Sequence, residues 1–265
     1  MRLIERLKTE FNLSGKKAKE LINKRLVFVN NQRVWIASYE VTDKDTITVS
    51  KINYPVLEPE ILYKDSHIIA VNKPPGLLST GEKKSVESFL RKNFYNINAV
   101  HRIDKETSGV LLFSISKEGY EGFLNLFKEK KITKFYLGIV KGNFPESIKI
   151  IDEPLDGKYA ITKIKILTSN EIASLLLFEI PTGRTHQIRR HLKMKNFFLL
   201  GEKEYTRKPE RKSIFKEVPR QMLHSWKVRF SHPVTHKTIE ITAPIFFDFK
   251  ETLKALNLSL ENKID

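Results

Sequence analysis

Asp104 stands in the stretch HRIDKETSGVLLFS, residues 101–114, just after His101 and Arg102 and just before a Thr-Ser-Gly turn and an apolar run. In a chain with 47 Lys and Arg against 31 Asp and Glu, a carboxylate at the edge of a core strand needs a partner, because burying it unpaired is expensive. A second basic segment, GRTHQIRRH, supplies Arg184, Arg189 and Arg190. An arginine beside Asp104 would keep it ionised even with water excluded. Such a carboxylate can serve as a cap, an ion-pair partner or a nucleophile. Taken singly, each residue has an ordinary structural reading: Asp104 as an ion pair or turn residue, Tyr136 in KFYLGIVKG as a sheet aromatic, and Lys73 before Pro74-Pro75-Gly76 as a solvated loop lysine.

Several other chemistries fail on spacing. HRID has Ile and Asp in the wrong order for a kinase catalytic loop, no asparagine follows at the needed place, and no phosphate-covering glycine loop precedes it. KPPG lacks the spaced glycines and the Gly-Lys-Ser/Thr ending of a P-loop. His186 and His191 are five apart, which at ~100° per residue puts them about 140° apart around a helix, the wrong geometry for a shared metal. A carboxylate pair for ordinary glycoside hydrolysis is not evident. With no cysteine, disulfides, cysteine nucleophiles and cysteine zinc sites are excluded.

The elements that must position these residues follow from the apolar pattern. Residues 1–50 read as a small unit. Leu3, Ile4 and Leu7 recur at helical spacing, and Ser14 caps a second helix with Ala18, Leu21 and Ile22 inward and Lys16, Lys17 and Lys19 largely outward. LVFVNNQRVW reads as strand, turn at Asn30-Asn31, strand, and TITVS as a further strand. Residues 51–60, with two prolines, read as a linker, and 61–265 as the second domain. There, runs of strands separated by helices without strict alternation predict an α+β fold with a mixed, mostly antiparallel sheet. The N-terminus lacks the apolar stretch of a signal peptide, and a cytoplasmic protein is expected. The net charge of +16 favours a polyanion partner.

Residues 1–50 resemble the small RNA-binding module shared with ribosomal protein S-four. The carriers are SGKKAKELINKRLVFVNNQRV and DKDTITV, with Arg25, Asn31 and Lys44 where that module has turn glycines. From Ile61 onward the chain resembles the RluA-type pseudouridine synthases. HRIDKETSGVLLFS matches their signature, and ILYKDSHIIAVNKPPGLLST, KFYLGIVKG, PTGRTHQIRRHL, MLHSWKVRFSHPVT and APIFFDFKETL follow in the family's order. FFLLGEKEYTR departs from it, with Glu202 in place of an Asp and Thr206 in place of a Gly. That departure bears on local RNA contacts rather than on chemistry at Asp104.

The resemblance implies the pseudouridine synthase fold and the conversion of uridine in RNA to its carbon-linked isomer, with no metal and no cofactor. Asp104 would be the catalytic carboxylate, attacking the sugar carbon or removing a neighbouring proton. Arg184 is the first candidate for its ion-pair partner and Arg189 the second. Tyr136 would stack on uracil and lend its hydroxyl to a later proton transfer, and Ile188 would form the opposite apolar wall. The uridine must be everted from folded RNA, with Arg102 filling the vacated space and His101 bracing the loop. Lys73, residues 207–220, Lys16 and Lys17 are the expected phosphate contacts. The partner expected is RNA, ribosomal RNA of the large subunit before transfer RNA, bound by a monomer with no membrane contact. A non-catalytic RNA-binding protein of the same fold is the alternative of a different class.

Overall fold

A computed structural model describes the chain outside residues 24–25, 31, 35–36, 50–57, 82, 207–214, 216–217, 219 and 261–265. The chain divides into two compact units, Met1–Leu57 with Lys208–Pro219 and Glu58–Arg207 with Arg220–Asp265. Among the described residues no helix is long and apolar enough to cross a membrane.

In the first unit, helices α1 (Leu3–Glu10) and α2 (Gly15–Asn23) precede strands β1 (Val27–Val29), β2 (Gln32–Arg33) and β3 (Ile47–Val49), paired in the order β2-β1-β3. Leu3, Leu7, Ala18 and Ile22 meet Val27, Val29 and Ile47 in one small core, while Ile4 and Leu21 are half-buried against it. Ser14 caps α2 by accepting from Lys17 N at 3.2 Å, and Lys16 and Lys17 lie exposed on its outer face. Asn30 takes a left-handed φ of 49° and donates to Asp45 Oδ1 at 2.6 Å. The turn positions Arg25 and Asn31 lie outside the described residues, as does most of the expected linker.

The second unit is built on a ten-stranded sheet. Its elements are β4 (Glu60–Lys64), β5 (Ile68–Lys73), α3 (Val86–Leu90), β6 (Asn98–Ala99), β7 (Ser108–Ser114), α4 (Lys117–Lys128), β8 (Thr133–Lys141), β9 (Ile150–Ile151), β10 (Thr162–Ser169), β11 (Ala173–Ile180), α5 (Gln187–Met194), β12 (Leu223–Ser231), β13 (Thr238–Thr242) and α6 (Phe247–Ala255). The strand order is β4-β5-β7-β12-β8-β11-β10-β9, with β13 on β12 and β6 on β7. The segment read as linker up to residue 60 thus ends inside a strand, since Glu60 already pairs with Asn72.

Every residue of β5 and β7 is buried, which accounts for the apolar runs at 68–71 and 110–113 within them. Alternate residues serve opposite faces. Ile69, Val71, Leu111 and Phe113 enter one core, and Ile68, Ala70, Val110 and Leu112 the other. The β7–β12 pairing is parallel and short, with His224 opposite Ser108 and Ser225 opposite Gly109, and the other pairings in the sheet are antiparallel. At this seam Gly109 has a φ of 108°, and a Cβ there would collide with the Ser225 backbone, so only glycine fits.

Candidate active site

The loop from β6 to β7 carries Asp104 and is tied down from several sides. Ser79 Oγ donates to Ile103 O at 2.8 Å and accepts from Ile103 N at 3.0 Å. Leu112 N donates to His101 Nε2 at 3.0 Å, which places the His101 proton on Nδ1. Burial therefore pushes the His101 imidazole down to about 3, with Lys134 adding to the effect. The bond from Leu112 N ties His101 to β7.

Lys73 does not sit where the sequence reading puts it. It is fully buried at the end of β5, and its Nζ donates to the carbonyls of Pro74, Leu77 and Lys105 at 3.0, 2.9 and 3.0 Å. The chain folds the Pro74 and Leu77 carbonyls back over the ammonium, and the third bond, to Lys105 O, makes Lys73 a clamp on the Asp104 loop rather than a phosphate contact. Burial, with Arg220 second, pushes it down to about 7.

Arg189 is the partner of Asp104. Its Nη1 lies 3.0 Å from Asp104 Oδ2, and Gln221 Nε2 donates to the same oxygen at 3.3 Å. Arg184, the first candidate on sequence, is not: its Nε donates to Tyr159 O at 3.0 Å. The helix start accounts for the difference. His186 is the left-handed N-cap of α5 at φ 53°, and Arg184 N donates to Gln187 Oε1 in the turn before it, while Arg189 falls on the buried face of the helix.

Glu202 is the residue that sequence reasoning undervalued. Its side chain is 2% exposed and accepts from Arg189 Nε at 2.7 Å and Nη2 at 2.8 Å. It also accepts from the backbone N–H of Lys203 at 3.0 Å and Glu204 at 2.9 Å. Glu204 takes Arg189 Nη2 at 2.9 Å. Burial works against the Arg189 charge, but Glu202 and then Asp104 outweigh it and raise the guanidinium above its ordinary range. His186, weighed on sequence only as a metal ligand, also reaches the site: its Nε2 lies 3.6 Å from Asp104 Oδ1, and its Nδ1 shares a 2.8 Å hydrogen bond with the Tyr205 hydroxyl. The only available signal was its place in the same motif as Arg189.

Asp104, 24% exposed at its side chain, faces a cavity of about 470 Å³, a size suited to a small ligand. Tyr136 from β8 and Ile188 from α5 are buried in its lining, and burial pushes the Tyr136 hydroxyl up to about 12. Arg102 is exposed on the lining. Of the basic run at 207–220, most lies outside the described residues. Arg220 is buried, pairs with Asp248 at 2.6 Å and donates to Glu106 O, so it is a brace and not a phosphate contact.

The second unit thus presents an arginine-paired aspartate, beside a mixed sheet, to an open cavity. Residues 67–194 match the RNA pseudouridylate synthase family and residues 1–47 the S4 domain. The chain is 30% identical to an uncharacterized RNA pseudouridine synthase of Mycoplasma genitalium, over 99% of this chain and 95% of that one. It is 27% identical to the ribosomal large subunit pseudouridine synthase C of Vibrio vulnificus, over 90% and 87% of the two chains. The solved structure of human RNA pseudouridylate synthase domain containing 4 shares the fold, with a TM-score of 0.66 at 22% identity over 77% of this chain and 95% of that chain. The chain belongs to the RNA pseudouridine synthase family.

Proposed function

We propose that the protein isomerises specific uridines of large-subunit ribosomal RNA, working as a cytoplasmic monomer with Asp104 as its catalytic carboxylate. The observation that carries the reading is the Asp104–Arg189 pair, 3.0 Å apart, at the cavity that Tyr136 and Ile188 also line. Relatives named ribosomal large subunit pseudouridine synthase C support the choice of RNA.

The everted uridine enters with its sugar at Asp104. The carboxylate attacks the sugar carbon or takes the neighbouring sugar proton, and the bond to the base nitrogen breaks with its electron pair leaving on uracil. Tyr136 and Ile188 hold the detached ring while it turns. Carbon 5 then bonds to the same sugar carbon as that carbon's bond to Asp104 breaks, or as Asp104 returns the sugar proton it took. The carbon-5 proton leaves and the base nitrogen takes up a proton, so the reaction needs no co-substrate. The high position of the Tyr136 hydroxyl keeps its proton on at neutral pH, so it can donate a hydrogen bond to the turning base. Arg102 fills the space left in the RNA, at an unstacking cost of roughly a few kcal/mol. Lys16 and Lys17 add phosphate contacts from the S4 domain.

Transcripts carrying tritium at uridine carbon 5 test this. The wild-type protein is expected to release tritium to water from large-subunit ribosomal RNA, and Asp104→Asn to cut that release by at least about 10³-fold with RNA affinity changed less than about threefold. Full activity in the variant removes Asp104 from the chemistry. Release from transfer RNA alone overturns the ribosomal assignment, and free uracil in the products overturns isomerisation.

A further inference from the structure

Six lysines and arginines line the cavity, and they differ sharply in how they are matched. Arg189 is met by Asp104, Glu202 and Glu204. Among the described residues the other five, Arg102, Lys128, Lys130, Lys134 and Arg184, have no carboxylate within ion-pair distance. Three of these five are linked through shared neighbours, Gly183 and Tyr159. Lys134 Nζ donates to Thr182 O at 3.1 Å and lies against Gly183, where a Cβ would come within 3.2 Å of it. Arg184 follows in the chain and donates to Tyr159 O, and Lys130 Nζ stands 4.5 Å over the Tyr159 ring.

Lys134 is the telling member. It is 7% exposed, and Thr182 O is the single hydrogen-bond acceptor of its three-donor ammonium among the described residues. Its Nζ also lies 5.7 Å from the Phe127 ring centre, but a ring face and one neutral acceptor leave a buried cation without a counter-charge, which is costly unless something supplies the missing anion. Burial, with the Arg184 charge added, pushes Lys134 down to about 8, the direction an incoming anion would reverse.

Resting on the reading that RNA is the substrate, we propose that Lys134 and Arg184 form a phosphate subsite that grips one backbone phosphodiester of the strand carrying the target uridine. Lys134 supplies a buried ammonium from the cavity lining, and Arg184 supplies the two guanidinium nitrogens its bond to Tyr159 leaves free. The strand's phosphates thereby track the unmatched cations, and the Asp104–Arg189 pair is left to the sugar and base.

The test measures binding of full-length protein to a large-subunit ribosomal RNA transcript across a salt series. Each phosphate contact removed lowers the slope of log affinity against log salt by about 0.7–0.9. Lys134→Met and Arg184→Gln are each expected to lower it by that step and to weaken binding, while Lys134→Arg restores the slope. An unchanged slope in Lys134→Met overturns the subsite. If Lys134→Met does not fold, as judged by its thermal melt, Arg184→Gln decides, because its side chain reaches the surface. Tritium release by the wild-type protein is followed in parallel. Its absence would undo the proposed reaction, whereas an active wild type with an unmoved slope would undo the phosphate subsite alone.

Discussion

At the scale of the residue, the site depends on how Arg189 is held. A guanidinium in free rotation would offer Asp104 a partner of indefinite geometry. Here Glu202 takes two of its nitrogens and is itself fixed by backbone N–H groups, so the nitrogen that remains is aimed at Asp104. Replacing Glu202 by Gln keeps the shape but removes the charge that compensates a buried guanidinium. Glu202→Gln is expected to cost about 3 kcal/mol in denaturant unfolding. It should also slow tritium release roughly 10–100-fold through the misplacement of Arg189. Full turnover would mean that the Asp104–Arg189 geometry is set elsewhere.

At the scale of the element, the seam between β7 and β12 is where the sheet is least tolerant. Gly109→Ala places a methyl group into the Ser225 backbone at a left-handed φ, and a loss of at least about 3 kcal/mol is expected in thermal or denaturant unfolding. Strands β7 and β11 were legible from the residues alone, since the unbroken apolar run VLLFS and the run ASLLLFEI admit few other readings. Two-residue strands such as β6 and β9 were not, because two residues carry no period. Neither was the parallel pairing of β7 with β12, which joins residues more than a hundred positions apart and leaves no local mark. The motifs located Asp104, but spacing does not say where a long side chain ends. Lys73 turned inward onto carbonyls, Arg184 turned to Tyr159, and Glu202, which looked like a departure from pattern, became the support of Arg189.

At the scale of the whole molecule, the histidines His101 and His224 contribute to the acid sensitivity of the fold. His101 accepts from Leu112 N, and His224 sits between the Ser108 hydroxyl and Ala243 O. Burial pushes them from 6.5 to about 3 and about 4. Both folded values lie below the unfolded one, so the unfolded chain binds more protons as pH falls through 6.5. The stability they hold is present in full above that pH and is lost progressively down to about 3–4. Going from pH 7 to pH 5 is expected to cost ~3 kcal/mol in denaturant unfolding, in a window where Glu202 and Asp65, held below the usual carboxylate range, do not yet take up protons. Equal stability at the two pH values would mean that these rings protonate in place. The long reach of the contacts around Asp104 has one more consequence. Arg189 and Gln221 lie 85 and 117 positions downstream of it, and the strand that closes the seam begins only at Leu223. A nascent chain still emerging from its ribosome carries the aspartate long before it carries the residues that hold it. The Asp104–Arg189 pair therefore cannot form until residue 189 has been synthesised, and the contact from Gln221 comes later still.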